Sequence, residues 1–207
     1  MTPEELRRAS RALARRDPAF AATIGHEGPA RIAPGRPRRT HFAELARAIC
    51  SQQLAGAAAR AIHGRFEAIF DGRPTAPAVL ATDDAALRSV GLSGAKVAAI
   101  RDLARQVVDG SLPLTRIGTK ADDEVVRALV QVRGIGRWTA EMFLMFQLGR
   151  PDVWPVDDLG VRKGWGILHG TDMPSPRALE DFGDALRPYR SVAAWYCWRA
   201  VSPSAPL

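Results

Sequence analysis

The stretch that decides the fold is Leu129-Val-Gln-Val-Arg-Gly-Ile-Gly-Arg-Trp-Thr-Ala140. It predicts the end of one helix, a tight turn at Gly134-Ile135-Gly136, and a second helix from about Arg137 to Leu148. Glycine accepts backbone dihedral angles that a side chain forbids, and it leaves the amide groups at the start of the second helix unshielded. Because these amides and the helix dipole point the same way, the stretch predicts an anion-binding turn.

The charge of the chain indicates which anion to expect. Its 207 residues include 29 lysines and arginines against 22 aspartates and glutamates, which gives a formal net charge of +7. A basic protein favours a polyanionic partner, and nucleic-acid phosphate is the obvious one. Charge alone also fits a generic basic surface.

The cysteine content and the hydrophobic pattern exclude several classes of protein. Cys50 and Cys197 are the only cysteines, too few for an iron–sulfur cluster or a disulfide framework. Met1 leads into Thr-Pro-Glu-Glu rather than a signal peptide, and no run of about 18 apolar residues could span a membrane. We therefore expect reduced thiols, no membrane association and a cytoplasmic location, associated with the nucleoid if the protein is bacterial.

The remaining segments predict helices with recognisable starts. Apolar residues recur at helical spacing over about 40–53, 56–70, 93–108, 122–129, 175–186 and 190–201. The residues expected to start helices are Thr2, Asp17, Thr40, the group Thr82-Asp-Asp, Ser93, Asp122 and Ser175. Residues 27–39, rich in proline, glycine and arginine, predict an extended basic connection. Since no segment alternates with period two over the length of a strand, the fold class is all-α.

Asp157 and Asp158 form a candidate chemical site at another helix start, before Leu159-Gly-Val. One of the two carboxylates can cap the helix, and this is the ordinary structural role for either residue alone. The other would then lie in the first turn, where the helix dipole favours a negative charge. Such a fixed anion can stabilise the cation-like sugar that forms when a glycosidic bond breaks.

The hairpin stretch, followed by Pro155-x-Asp-Asp-Leu-Gly160, closely resembles the helix-hairpin-helix, Gly/Pro-Asp superfamily of base-excision DNA glycosylases. Within it, the chain is most similar to the 3-methyladenine DNA glycosylase II family. The similarity extends to Phe42-x-x-Leu-x-x-x-Ile-x-Ser-Gln-Gln-Leu54, Gly91-Leu-Ser-x-x-Lys96, and Arg190-Ser with Trp198. It implies two helical lobes with the helix-hairpin-helix motif and an active-site cleft between them.

The expected domain boundaries follow from these segments. Residues 1–39 would supply N-terminal helices and a basic connection packing on the C-terminal lobe. Residues 40–168 would form a helical domain with the helix-hairpin-helix at about 122–148, and residues 169–207 would complete the other lobe. Larger relatives carry an amino-terminal sheet domain, for which the 39 residues before Thr40 are too few and too helical.

The resemblance also implies roles for individual residues. Asp158 would be catalytic, with Asp157 as its neighbour or as the cap. Phosphate would be bound by Gly134, Ile135, Gly136 and Arg137. The backbone carbonyls of Val130, Val132 and Gly134 would hold a structural Na⁺ or K⁺, and no other cofactor would be required.

The resemblance places two further groups at the flipped nucleotide. The loop Gln52-Gln53-Leu54 would fill the gap left in the duplex, although Leu54 could instead be core and the glutamines could merely end a helix. Trp138 and Trp198 would wall the base pocket, because an alkylated base is cationic and indole faces attract cations. Met142 and Leu159 stand where relatives carry aromatic residues. These two side chains could simply be core, and Trp198 taken alone could be packing, so Trp138 is the stronger candidate for the pocket.

Position 138 distinguishes two chemistries. Bifunctional relatives such as endonuclease III place a nucleophilic lysine there, whereas this chain has tryptophan, and its only lysines are Lys96, Lys120 and Lys163. We therefore expect a monofunctional hydrolase that requires no cofactor. It would remove 3-methyladenine-type bases from double-stranded DNA, act as a monomer and leave an abasic site. Glu141 is an untested candidate for a general acid. The alternatives are a glycosylase for oxidised or mismatched bases and a non-catalytic helix-hairpin-helix DNA-binding module.

Overall fold

The computed structural model describes residues 1–32 and 39–202, and every regular element in them is helical. The predicted all-α class is thus confirmed. None of the helices in this described part has the length and hydrophobicity that crossing a membrane requires. Residues 33–38 of the predicted basic connection lie outside the described residues. The α-helices are α1 Pro3–Arg16, α2 Ala21–Glu27, α3 His41–Ser51, α4 Gly56–Ala68, α5 Ala76–Ala81, α6 Asp84–Ser89, α7 Gly94–Val108, α8 Asp122–Leu129, α9 Arg137–Met142, α10 Leu159–His169, α11 Pro176–Gly183 and α12 Arg190–Val201.

Short side chains start most of these helices, as their chemistry predicts. Thr2 and Glu5 form a reciprocal capping box at the start of α1. The hydroxyl groups of Thr40 and Ser93 accept hydrogen bonds from backbone amides three residues later, at the starts of α3 and α7. Short 3₁₀ helices also lie at Pro18–Phe20, Leu114–Thr119 and Asp184–Leu186.

The chain divides into two compact units. Unit 1 comprises the described residues within Met1–Arg36 and Leu144–Leu207, and unit 2 those within Pro37–Phe143. This division differs from the expected domains, which grouped residues 144–168 with the helix-hairpin-helix. The reason lies in long-range packing, because α10 packs mainly against α12, a helix that follows it in the chain.

Unit 1 is built around the pair of helices α10 and α12. A Cβ atom on Gly164 would lie 2.0 Å from the carbonyl oxygen of Cys197, so only glycine permits this approach of the two helices. α1 packs on the same core through Leu6 and Leu13, which are both buried. The buried Tyr196 hydroxyl donates a hydrogen bond of 2.8 Å to Ser10, which fastens α12 to α1.

Unit 2 is organised around α7, which packs against α3 and α5. Its apolar face is buried through Val97, Ile100 and Leu103. The buried faces of α3 and α4 add Leu45, Ile49 and Phe66 to this core. α7 is therefore the element from which the other helices of unit 2 take their positions.

The helix after the glycine turn is shorter than predicted. α9 ends at Met142, and the chain continues as a π-helix over Phe143–Gln147. Isolated π-helical turns occur frequently at functional sites. The expected single helix to Leu148 is therefore wrong in its second half, because hydrophobic spacing does not distinguish an α-helical turn from a π-helical one.

Two histidines of unit 2 should make its stability depend on pH. Burial lowers the pKa values of His41 and His63 below their usual 6.5, and Glu67 only partly opposes this effect at His63. Within the described residues, the buried Nε2 atom of His63 has no hydrogen-bond partner. The unfolded chain therefore binds more protons just below pH 6.5 than the folded chain does, and stability falls as the pH is lowered through this range.

We expect His63→Gln to flatten the dependence of Tm on pH between pH 7 and 5, measured by thermal unfolding against the unmodified protein. Gln carries no charge at any pH, so it removes the protonation of this buried position from the equilibrium. An exposed histidine, His26, provides the matched control through His26→Gln. Equal slopes in His63→Gln and the unmodified protein would contradict the assignment.

Candidate active site

The glycine turn in unit 2 has the backbone that the sequence predicts. Gly134 adopts a φ of +78°, in the left-handed region that favours glycine. A Cβ atom there would also lie 3.1 Å from the Cβ atom of Ala99 on α7. Ile135 is buried and anchors the turn, whereas Gly136 starts α9 without a side-chain cap. The first amides of α9 thus donate no hydrogen bond to a capping side chain, as an anion site requires.

One face of α7 supports this turn, and sequence reasoning missed it. Oδ2 of Asp102 accepts a hydrogen bond of 2.8 Å from the backbone amide of Arg133. The side-chain amide of Gln106 donates to the carbonyl of Gln131 at 3.3 Å and to Asp102 at 2.9 Å. The spacing of Ala99, Asp102 and Gln106 puts them on one helix face, but nothing in that spacing reveals that the partner is the turn.

Two of the three carbonyl groups expected to hold a monovalent cation have protein partners. The Gly134 carbonyl accepts a hydrogen bond of 2.8 Å from Nε2 of Gln52, and the Val132 carbonyl accepts one of 3.0 Å from the Ile135 amide. A carbonyl oxygen has two lone pairs, so each retains one acceptor position. Neutral carbonyl oxygens suit Na⁺ or K⁺. The carbonyl groups of Val130, Val132 and Gly134 therefore remain compatible with such an ion.

The first turns of α9 carry the predicted pocket and phosphate residues of unit 2. Trp138 is 51% exposed, and Met142 follows one turn later on the same face, partly exposed. Nε of Arg137 donates to Glu141 at 2.9 Å. Glu141 is only 5% exposed, so its carboxylate does not face solvent. The buried carboxylate instead orients the exposed guanidinium at the start of the helix.

The predicted insertion loop follows α3. Gln53 and Leu54 are exposed, Leu54 by 36%, so the alternative that Leu54 is core is wrong. Gln52 is half-buried, and its side chain contacts the glycine turn. The structure thus brings the loop and the turn of unit 2 together.

Asp158 in unit 1 is itself the cap of α10. Its Oδ1 accepts hydrogen bonds from the Val161 amide at 2.8 Å and from the indole Nε1 of Trp198 at 2.9 Å. The expected division of roles, in which one aspartate caps and the other lies in the first turn, is therefore wrong. Asp157 is exposed, and Asp158 is half-buried. The result is a carboxylate held at a helix N-terminus by two donors.

Trp198 therefore differs from the expected simple wall of a pocket. Its indole lies against Gly160, where a Cβ atom would come within 2.7 Å of Cδ1 of the ring and 3.1 Å of Oδ1 of Asp158. Phe146 lies on the ring with centroids 5.9 Å apart. Leu159 is 53% exposed beside this group. The glycine at 160 provides the space in which the indole reaches the carboxylate.

The loop that leads to Asp158 is fastened to the start of α12. The guanidinium of Arg190 donates to both carboxylate oxygens of Asp152 at 2.9 Å. The hydroxyl of Ser191 accepts from the Val153 amide at 2.9 Å and donates to the Arg150 carbonyl at 2.8 Å. The helix that carries Trp198 is thus fixed to the chain that carries Asp158.

The chain is similar in sequence to DNA glycosylases of two organisms. The chain is 35% identical to DNA-3-methyladenine glycosylase 1 of Schizosaccharomyces pombe over 166 residues, which is 78% of this chain and 73% of the relative. It is 26% identical to DNA-3-methyladenine glycosylase 2 of Escherichia coli over 76% of this chain and 56% of the relative.

A solved structure shares the fold. The Schizosaccharomyces pombe 3-methyladenine DNA glycosylase in complex with abasic DNA superimposes with a TM-score of 0.83 and 33% identity, covering 93% of this chain and 95% of that one. A sequence model for base-excision DNA repair proteins of the HhH-GPD superfamily matches residues 46–187. The helices and the glycine turn of this chain agree with these matches. The chain therefore belongs to the HhH-GPD superfamily of base-excision DNA repair proteins.

Proposed function

We propose that this protein is a monofunctional DNA glycosylase, which hydrolyses the N-glycosidic bond of 3-methyladenine-type purines in double-stranded DNA and leaves an abasic site. The observation that carries the proposal is the carboxylate of Asp158, held at the start of α10 by Val161 and Trp198. The names of the matched glycosylases support the same reaction.

DNA binding is assigned to the glycine turn and its surroundings. Backbone amides at Gly136 and the following residues would bind a phosphate, and Arg137 would add a charge beside it. The contacts are to the DNA backbone and so carry no sequence information. A protein that searches for damage in any sequence needs this kind of contact.

The tip formed by Gln53 and Leu54 would enter the duplex as the damaged nucleotide rotates out. Enzymes that act on a base must extrude it, and an inserted apolar side chain compensates for the lost stacking. Trp138, Met142, Trp198 and Leu159 would contact the extruded base. A base alkylated on a ring nitrogen is cationic, so the exposed indole face of Trp138 favours it over a neutral base.

Asp158 would act at the sugar. As the bond between C1′ and the base nitrogen breaks, both electrons leave with the base, and positive charge develops on the sugar ring. The fixed carboxylate stabilises this charge more strongly than it stabilises the neutral substrate sugar, which is the condition for catalysis. Water then adds to C1′ and loses a proton. A cationic base departs as a neutral molecule, so no general acid is required.

Strand cleavage is not part of this proposal. Tryptophan occupies position 138, where bifunctional relatives have the lysine that forms a Schiff base. The products are therefore a released base and an intact strand with an abasic site.

The experiment is to incubate the protein with duplexes that contain methylated purines, oxidised purines or mismatches, and to identify the released bases. The proposal predicts release of methylated purines and strand scission only after added alkali. Release of oxidised or mismatched bases alone would show that the protein acts on a different class of substrate. Binding without any release would favour a non-catalytic DNA-binding module, and scission without alkali would contradict the monofunctional chemistry.

Asp102 provides a separate test of the role of the turn in DNA binding. Asp102→Ala removes the acceptor for the Arg133 amide, so we expect affinity for undamaged duplex to fall about fivefold, roughly 1 kcal/mol. Asp109→Ala is the matched control, because it removes the same charge at the end of α7. In the unmodified protein, the carboxylate of Asp109 accepts hydrogen bonds from the backbone amide and the hydroxyl of Ser111. Equal affinities of the two variants, measured by fluorescence anisotropy, would contradict this role.

We further propose that the protein acts as a monomer in the cytoplasm, at the nucleoid if it is bacterial. The two cysteines are free and buried, and unpaired thiols suit a reducing compartment. Light scattering of the protein alone and bound to a short duplex tests the monomeric state. A monomer predicts one protein per duplex in the complex.

A further inference from the structure

The loop after α3 has an unusual backbone at its tip. α3 ends at Ser51, and Gln53 adopts a φ of +56°, which places a residue with a side chain in the left-handed region. The amide of Leu54 then donates back to the Ser51 carbonyl at 3.3 Å. Left-handed backbone is unfavourable for residues other than glycine, and it persists where the surroundings fix it.

Two side-chain hydrogen bonds hold the chain that leads to the tip. Nζ of Lys96 donates to the Cys50 carbonyl at 2.7 Å, in the last turn of α3. Nε2 of Gln52 donates to the Gly134 carbonyl at 2.8 Å, across 82 positions of sequence. Lys96 is half-buried, and this partial burial lowers its pKa.

The same face of α7 supports both the loop and the glycine turn. Lys96 holds the end of α3, Ala99 contacts the position of Gly134, and Asp102 holds the amide of Arg133. These three residues follow each other at intervals of three along α7. Gln52 also joins the loop to the turn directly, through its hydrogen bond to the Gly134 carbonyl.

We infer that Gln52 is a positioning residue, which couples the insertion tip to the phosphate-binding turn, and that Gln53 and Leu54 alone enter the duplex. This inference rests on the proposed function. The side chain of Gln52 points to the turn and donates to it, whereas Gln53 and Leu54 are exposed. Phosphate binding at the turn therefore sets the position of the tip, and no separate closure of the loop is needed.

The first experiment separates insertion from binding. The probe is a duplex with a stable abasic-site analogue beside 2-aminopurine, whose fluorescence rises when the tip unstacks it. Gln52→Ala should bind undamaged duplex within about twofold of the unmodified protein but reduce the fluorescence response and the excision rate about tenfold. Gln131→Ala is the matched control. Gln131 is exposed, lies two residues after the end of α8, and donates through its side chain to the Arg127 carbonyl of that helix.

The outcomes distinguish this inference from the proposed function. Equal responses of Gln52→Ala and Gln131→Ala would overturn the coupling. Equal losses of undamaged-duplex affinity and fluorescence response in Gln52→Ala would show a direct DNA contact instead. If the unmodified protein excises no lesion, the proposed function fails, but the fluorescence and affinity comparisons still test Gln52.

The backbone strain at Gln53 gives a second, independent readout. Gln53→Gly removes the left-handed penalty, so Tm should stay the same or rise by up to about 3 °C, while the fluorescence response falls with the lost side chain. Gln53→Asn should retain most of the response, because asparagine tolerates the left-handed region. A lower Tm in Gln53→Gly, or a full response without the side chain, would contradict the assignment of the tip.

Discussion

Asp158→Asn is expected to lower the single-turnover rate of base excision by about 10²–10³-fold, because it removes the charge that stabilises the cationic sugar. Asparagine retains an oxygen that can accept from the Val161 amide and the Trp198 indole, and it caps helices as well as aspartate does. The fold and the affinity for undamaged duplex should therefore persist. Rapid-quench measurement of base release at saturating protein isolates the chemical step.

Asp157→Asn is the matched control for this prediction. It changes the same charge at the adjacent position, which is exposed and does not cap α10. We expect its excision rate to stay within about twofold of the unmodified rate. An Asp158→Asn rate within tenfold of the unmodified protein, or an equal loss in both variants, would assign the chemistry to another group.

Gly164→Ala is expected to cause the largest loss of stability. The added Cβ atom would lie 2.0 Å from the Cys197 carbonyl oxygen, a backbone atom that cannot move without shifting α12. Overpacking of this kind costs about 3 kcal/mol at the upper end of its usual range, which lowers Tm by roughly 6–12 °C. Because Asp158 caps α10 and α12 carries Trp198, excision should decline with stability.

The comparison for Gly164→Ala is Gly25→Ala in α2. A Cβ atom at Gly25 meets nothing within 4 Å, and alanine is the better helix former by about 0.5–1 kcal/mol. We therefore expect opposite signs in thermal unfolding, with Gly25→Ala unchanged or stabilised. A Gly164→Ala protein with unaltered Tm would show that the two helices separate readily.

Local chemistry explains which features could be predicted. Helix caps and glycines act on their immediate neighbours, so Thr2, Ser93 and the left-handed Gly134 were all correctly placed from sequence. Hydrophobic spacing likewise predicted α7 and α12 to within a residue. The position of Asp158 at a helix start follows from the same local rules.

Contacts between distant segments could not be predicted. The hydrogen bond from Trp198 to Asp158 joins residues 40 positions apart, and Gln52 and Gly134 are 82 positions apart. The support of the turn by Asp102 depends on how α7 packs, and no local pattern records it. For the same reason, the boundary between the units falls at Phe143 rather than at residue 168.

The central claim is that the charge of Asp158 stabilises a cationic sugar. The most direct measurement compares affinity for duplexes carrying a pyrrolidine abasic analogue, whose ring nitrogen is cationic, and a neutral tetrahydrofuran analogue. Because the cationic ring imitates the transition state, the unmodified protein should bind it at least about 100-fold more tightly, and Asp158→Asn should abolish this preference. Equal affinities of the unmodified protein for both analogues, or a preference that survives in Asp158→Asn, would contradict the account.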